Sequence, residues 1–289
     1  MLPQLGLNFR LEMSSPGCFL SRLPGPPNAP FTGPAAARQT VAVRILLPPS
    51  EAKRPGGDGP PVHFGRDRLG AARRRAATAL SRFAAQAGAA EALALPARSA
   101  ADELLADRRV RASATMPALL RYAGIVYDGL DAPSLGRAER AAADASVLIF
   151  SGLWGVVRAD ELVPNYRLPA AAALPELGIM ATYWRPLLDR AVPPMLGDGL
   201  VIDLRSSDYA AMWRPRPELR ERVVVVRVLS RRPSGPPAVI SYPSKLGKGK
   251  LTRALLGRGA ATVEDVLDAW RAAGGWDGQR TARGLDLID

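Results

Sequence analysis

The chain has one cysteine, Cys18, and one histidine, His63, among 289 residues. A disulfide within the chain is therefore excluded, and a zinc or iron centre built from His and Cys has almost no donors to draw on. The single histidine also argues against reading Ser151-Gly-Leu-Trp-Gly155 as a nucleophile elbow. That device needs Gly-x-Ser-x-Gly and a base, and His63 stands in a Gly/Pro loop. No apolar run approaches the roughly 18 residues that a membrane helix needs. Neither a metal nor a cofactor is expected, and the near absence of cysteine fits a reducing cytoplasm. Lysine is scarce too: of 39 basic residues only Lys53, Lys245, Lys248 and Lys250 are lysine. In a chain rich in Arg, Ala, Gly and Pro, arginine is the default cation. Lysine then marks places suited to a compact ammonium on a flexible stem, since the two differ in hydration, geometry and ease of deprotonation.

What the chain does carry is positive charge, unevenly placed. Of the net +12, residues 205–258 supply +10, with thirteen Arg or Lys against three acids; residues 1–42 add +2 and the remainder cancels. A basic surplus confined to one segment points to a polyanion partner, because clustered cations release counterions condensed on phosphates. A solvated basic face without a ligand is the alternative.

Leu23-Pro-Gly-Pro-Pro-Asn-Ala-Pro30 forms neither helix nor inner strand. Residues 1–40 read as a disordered N-terminal extension without a signal-peptide core, and a translation start near Val41 or Val43 fits the same pattern. Residues 41–289 read as one domain. Buried strands are predicted at Val43–Leu47, Val147–Phe150 and Leu200–Leu204, with a hairpin of Val223–Leu229 and Ala238–Tyr242. Helices are predicted near 66–87, 116–122, 134–144, 181–191, 206–213 and 250–256, and a last one is capped by Thr262 with Asp265. Strands and helices mix without strict alternation, so the fold class is α+β: a single mixed domain of unusual topology.

The strongest candidate site is Lys245-Leu-Gly-Lys-Gly-Lys-Leu-Thr-Arg253. Gly247 and Gly249 let a backbone approach an anion, and a helix opening at Lys250 offers free N–H groups. Lys245, Lys248, Lys250 and Arg253 add charge. The spacing is not that of a Walker loop. It resembles the glycine hairpin of helix-hairpin-helix DNA binders, though a strand precedes it and Lys248 stands where an apolar residue is usual. An ordinary basic helix start is the alternative. Ser50 and Lys53 follow the first strand and suit a phosphate; equally, Lys53 beside Glu51 reads as an activated amine, or as one solvated lysine. Arg158 and Arg167 follow a glycine-rich loop and suit phosphates, while Trp154 and Tyr166 suit base stacking, with Trp154 equally suited to the core. Asp160, Glu161, Asp203 and Asp208 make a metal site only if the fold gathers them; helix capping is the simpler role.

In order along the chain stand Ile45-Leu-Leu-Pro-Pro-Ser-Glu-Ala-Lys53, Gly124-Ile-Val-Tyr-Asp-Gly-Leu130, Ile149-Phe-Ser-Gly-Leu-Trp-Gly-Val-Val-Arg158, Pro164-Asn-Tyr-Arg-Leu168, Ile202-Asp-Leu-Arg-Ser-Ser-Asp-Tyr209 and Lys248-Gly-Lys-Leu-Thr-Arg253. This ordered set resembles the YaaA family of bacterial peroxide-stress proteins over residues 43–256 or beyond. Trp154 replaces a Tyr of the family pattern, Asp203 an Asn and Asp208 a Glu. The resemblance implies a cytoplasmic protein that lowers damage from free intracellular iron and binds DNA through a basic cleft with a helix-hairpin-helix-like element. The partner it implies is duplex or structured DNA, and the candidate phosphate contacts read from the residues themselves are Ser50, Lys53, Arg158, Arg167 and the 245–253 segment. Three readings stay open at this point: a DNA-binding stress protein, an enzyme acting on a nucleotide or nucleic-acid phosphate in the same cleft, and an adaptor in iron handling.

Overall fold

Ile45, Leu46 and Leu47 are wholly buried, as a strand without polar alternation must be when both of its faces are covered. They belong to an inner strand of the sheet in the computed structural model, which describes residues 43–65, 67–282 and 284–289. The expected extension at 1–40 lies outside the described residues.

The strands are β1 (Arg44–Leu47), β2 (Thr115–Pro117), β3 (Val147–Ser151), β4 (Gly155–Arg158), β5 (Leu162–Pro164), β6 (Ala173–Leu174), β7 (Gly178–Ile179), β8 (Val201–Asp203), β9 (Val223–Leu229), β10 (Asp277–Thr281) and β11 (Gly284–Ile288). The helices are α1 (Gly70–Phe83), α2 (Ala89–Ala92), α3 (Ala100–Arg108), α4 (Ala118–Arg121), α5 (Ile125–Leu130), α6 (Arg137–Ser146), α7 (Met180–Ala191), α8 (Ser207–Ala210), α9 (Pro217–Arg220), α10 (Ser241–Arg258) and α11 (Val263–Ala272). This is an α+β fold around a mixed sheet of order β10-β11-β9-β8-β1-β3-β4. The inner strands β11, β9, β8, β1 and β3 run parallel, while β10 and β4 close the two edges antiparallel. The carboxyl ends of the parallel strands therefore share one end of the sheet, where open α/β sheets hold ligands. The loops that begin at Pro48, Gly152 and Leu204 all start there.

Three expectations are corrected. The 245–250 segment is neither a loop nor the turn of a hairpin: Ser241–Arg258 is one helix, and Pro243 falls in its first turn, where proline is tolerated. Glycine costs helix stability, yet here close packing requires it. A Cβ on Gly249 would stand 2.0 Å from the Val126 carbonyl oxygen, and one on Gly247 would stand 2.8 Å from Val228. On the facing helix, a Cβ on Gly129 would stand 2.3 Å from the Leu246 oxygen. Glycine on both sides lets α10 and α5 touch backbone to backbone. A short connection, Gly259–Thr262, does join α10 to α11, and Thr262 and Asp265 form the expected capping box. Second, the hairpin after β9 is reduced to one bridge, Ser230 with Ala238, since the chain turns into α10 at Ile240. The partner of β9 comes instead from β11, in a C-terminal hairpin that Asp277-Gly-Gln-Arg-Thr281 does not announce by alternation. Third, the glycine-rich stretch after β3 is the tight turn of the β3–β4 hairpin.

Candidate functional site: Lys53 and its surroundings

Lys53 is positioned from both sides of its loop. It bridges to Tyr122, Ala123 donates to the Ala52 oxygen at 3.1 Å, and Arg54 donates to the Arg121 oxygen at 2.8 Å. Arg121, wholly buried, staples the rest of the loop by donating to the oxygens of Arg54, Gly56, Ala114 and Val163. The Lys53 Nζ is thereby held over the Tyr166 ring at 4.3 Å and near the Tyr122 ring at 5.5 Å. It donates to the main-chain oxygens of Ser50 at 3.0 Å and Glu51 at 3.1 Å. The two tyrosines belong to a buried chain of hydroxyls: Tyr122 to Tyr166 at 2.7 Å, and Tyr166 to Ser151 at 2.6 Å. Ser151 in turn accepts from the Leu153 and Trp154 amides of the hairpin turn.

Around this amine stand Arg167, Glu51, Glu103 and Asp107. Arg167 pairs with Glu103 at 3.1 Å and with Glu51 at 3.7 Å, and its amide donates to the Asp107 Oδ1 at 2.7 Å. Asp107 is wholly buried and its Oδ2 has no partner. Glu103 Oε2 also lacks a well-angled hydrogen bond, although the Arg167 guanidinium is within ion-pair reach. Burial moves the ionisable groups together toward neutrality. It lowers Lys53 to about 8 against the attraction of Glu51 and Asp107. It pushes Asp107 up to about 7 despite the Arg167 amide and the Lys53 charge. It pushes Tyr122 up to about 12, and Tyr166 well above its usual value. A lysine and a carboxyl displaced toward each other's range are a signature of functional sites, though structural networks produce it too.

The other sequence-predicted residues part company. Ser50 stays beside Lys53, where a Cβ on Gly124 would stand 2.9 Å from its Oγ. Trp154 and Tyr166 are buried, edge to face at 6.0 Å, so neither offers a ring to a passing base. Arg158 lies at the far end of the sheet, opposite Leu148 near the start of β3, where it pairs with Asp160 at 3.0 Å. One concavity gathering Lys53, Arg158, Arg167 and Lys248 is therefore not formed. Lys248 reaches the sheet from α10 and donates to the oxygens of Leu204 at 2.8 Å and Arg205 at 3.4 Å; burial lowers its pKa against the pull of Asp203. Asp203 itself holds Arg205 in a two-pronged pair at 2.9 and 2.7 Å, and Glu161 pairs with Arg73. The four acids considered for a metal are thus not gathered. Among the described residues no group of three or more His, Cys, Asp or Glu is placed to hold a metal ion.

Of the 245–253 cations, Lys245 and Lys250 are exposed. Lys250 lines a cleft of ≈ 450 Å³ with Arg253, Arg258 and Glu139, over Gly129, Gly257 and the alanines 254, 272 and 273. Arg253 is anchored by the oxygens of Leu130 at 3.1 Å and Asp131 at 3.0 Å, a cation against the carbonyls that end α5. Asp107, Glu103 and Tyr122 escape sequence reasoning. Tyr122 lies just ahead of the Gly124–Leu130 motif, a proximity that could have drawn attention to it. Asp107 lies in a helix with no marked apolar face, and nothing local distinguishes it.

The fold is thus a mixed sheet with a partly buried amine, a buried carboxyl and a tyrosine chain near the carboxyl ends of its parallel strands. The family model described as peroxide stress protein YaaA matches residues 43–277, and the chain belongs to that family. A UPF0246 protein of Streptomyces coelicolor is 38% identical over 237 residues, covering 80% of this chain and 90% of the relative. One from Corynebacterium glutamicum is 35% identical over 237 residues, covering 80% and 92%. One from Roseobacter denitrificans is 32% identical over 146 residues, covering 48% and 56%. No helix among the described residues is long and apolar enough to cross a membrane.

Proposed function

We propose that this peroxide-stress family member is a cytoplasmic DNA-binding protein that limits damage from free intracellular iron by covering DNA. The observation that carries the reading is the cleft beside α10. Lys250, Arg253 and Arg258 line it against one acid, Glu139, and the rest of the lining is glycine and alanine, so a phosphate backbone meets three cations, one carboxylate that faces Arg253, and small residues. Lys250 and Arg258 make no ion pair with any described residue and keep their charge for a ligand. Binding of this kind is phosphate-led and insensitive to sequence. Protection by covering fits a chain with one His and one Cys, which is poorly equipped to sequester the metal itself. Replacing Lys250 and Arg258 together by Ala is expected to weaken duplex binding and flatten the log–log salt slope by roughly 1.8, about 0.9 for each phosphate no longer neutralised. The same variant is expected to lose protection of plasmid DNA against nicking by ferrous iron and peroxide. An unchanged slope rejects this cleft as the DNA-binding surface, and unchanged protection with weakened binding rejects covering as the means.

A further inference from the structure

The amine centre is not part of that cleft, and its chemistry is of another kind. Lys53 has no carboxylate within ion-pair distance among the described residues. Its Nζ spends two hydrogens on the main-chain oxygens of Ser50 and Glu51. With Cε as the third substituent, the fourth tetrahedral position holds either a proton or a lone pair. Two tyrosine rings wall the site. Lys53 is partly exposed, and its Nζ is held by main-chain oxygens rather than by a counter-charge. Beside it Asp107 is buried with Oδ2 unpartnered, an acid whose hydrogen-bonding capacity the protein does not use. Glu51, Ala52 and Arg54, the neighbours of Lys53 in its loop, are exposed.

We propose that Lys53 is a nucleophilic amine that condenses with the carbonyl carbon of a small uncharged aldehyde, with Asp107 as the acid that assists the loss of water. The lone pair on Nζ adds to the carbonyl carbon, and the carbonyl pair moves to oxygen, which takes a proton. Nζ releases its first proton, the carbinolamine hydroxyl leaves as water with the proton of Asp107, a C=N bond forms, and the second Nζ proton returns to the Asp107 carboxylate. Amine and aldehyde give imine and water, with nothing oxidised or reduced. An uncharged substrate suits the surroundings, because Lys53 and Arg167 face Glu51 and Glu103, two charges of each sign. The protonation states agree. Lys53 is lowered to about 8 and Asp107 raised to about 7, so between about pH 7 and 8 both groups exchange between their two forms, and free amine and undissociated acid are each present as a fraction.

The test is reductive trapping of the whole chain with propionaldehyde and cyanoborohydride, read by peptide mass spectrometry from about pH 6 to about pH 10. Lys245 and Lys250, both exposed, serve as internal standards. Lys53 is lowered from 10.5 to about 8, which at pH 7.5 gives it on the order of a hundredfold more free base than an ordinary lysine. Allowing for weaker nucleophilicity and the enclosing loop, Lys53 is expected to be propylated at least about tenfold faster than the standards. Its rate should level off above pH ~8 while theirs keep rising. Asp107→Asn is expected to slow Lys53 several-fold and leave the standards unchanged. Labelling of Lys53 no faster than Lys245 and Lys250, or without the plateau, overturns the proposal. A normal Lys53 rate in Asp107→Asn removes Asp107 from the step.

Discussion

Two lysines of this chain, Lys53 and Lys248, point inward, and two, Lys245 and Lys250, point to solvent. The inner pair donate to main-chain oxygens at the carboxyl ends of β1 and β8, and burial lowers the pKa of both. The outer pair stand on the same helix as Lys248, within a few residues of it. The lesson is that a basic run on a helix is not one surface. Helical geometry sends Lys248 to the sheet, where it donates to main-chain oxygens, and leaves Lys250 exposed.

The contrast is broken most forcefully where α10 meets α5, between the two regions. Gly249→Val puts a branched side chain where even a Cβ would meet a backbone oxygen at 2.0 Å. α10 must then part from α5, and a loss of roughly 3 kcal/mol or more is expected in urea unfolding. A loss under about 1 kcal/mol, the range of well-tolerated core changes, would mean that the helices do not touch backbone to backbone.

The next largest effect concerns Asp107 and is a pH dependence. A carboxyl raised in the fold keeps its proton where the unfolded chain has released it. Its contribution to stability is therefore full below pH about 3.8 and is lost as the pH rises through about 7. Each unit of displacement is worth about 1.4 kcal/mol, so the change across the window amounts to a few kcal/mol. Asp107→Asn keeps an oxygen for the Arg167 amide and should flatten that fall. Lys53 works in a separate window and with the opposite slope. Lowered in the fold, it binds fewer protons than the unfolded chain between about 8 and 10.5, so its contribution to stability grows as the pH rises there. Wild type and variant with superimposable stability–pH curves from about pH 4 to about pH 7 would show that Asp107 titrates normally.

Lys248→Ala is expected to cost about 1.5–2 kcal/mol, since it removes a charged donor and leaves the Leu204 oxygen without it. Lys250→Ala, two residues along, is expected to change stability by no more than about 0.5 kcal/mol while reducing the salt dependence of DNA binding. Equal costs at the two positions would erase the distinction between inner and outer cations.

Much of the framework is legible in the sequence. β1, β3 and β8 are short apolar runs that announce buried parallel strands, and Thr262 with Asp265 announces the start of α11 by the chemistry of its own cap. The candidate site is legible in part. Lys53, Ser50 and Arg167 stand out by residue type and position, and the structure brings them together. Arg158, read as their neighbour, lies at the other end of the sheet because the β3–β4 hairpin carries it back along β3. Trp154 and Tyr166 look suited to stacking and are interior. Asp107 carries no local mark, and its character comes entirely from what surrounds it.

By itself the sequence determined the family, through ordered motifs spread along the chain, and also the α+β class and the concentration of positive charge in residues 205–258. Tertiary structure decided which of those charges are available. Glycine next to lysine suits both an anion-binding turn and a helix pressed against another helix, and residues 245–253 are compatible with either. The choice rests on Gly129, more than a hundred residues away, which lets α5 come close enough that α10 gains more from packing than a loop gains from exposing its amides. In the same way, a lysine after a strand is an ordinary solvated cation until a tyrosine from α4's end and another from beyond β5 close over it. Desolvation, to which those distant rings contribute, makes its amine unlike the exposed Lys245 and Lys250.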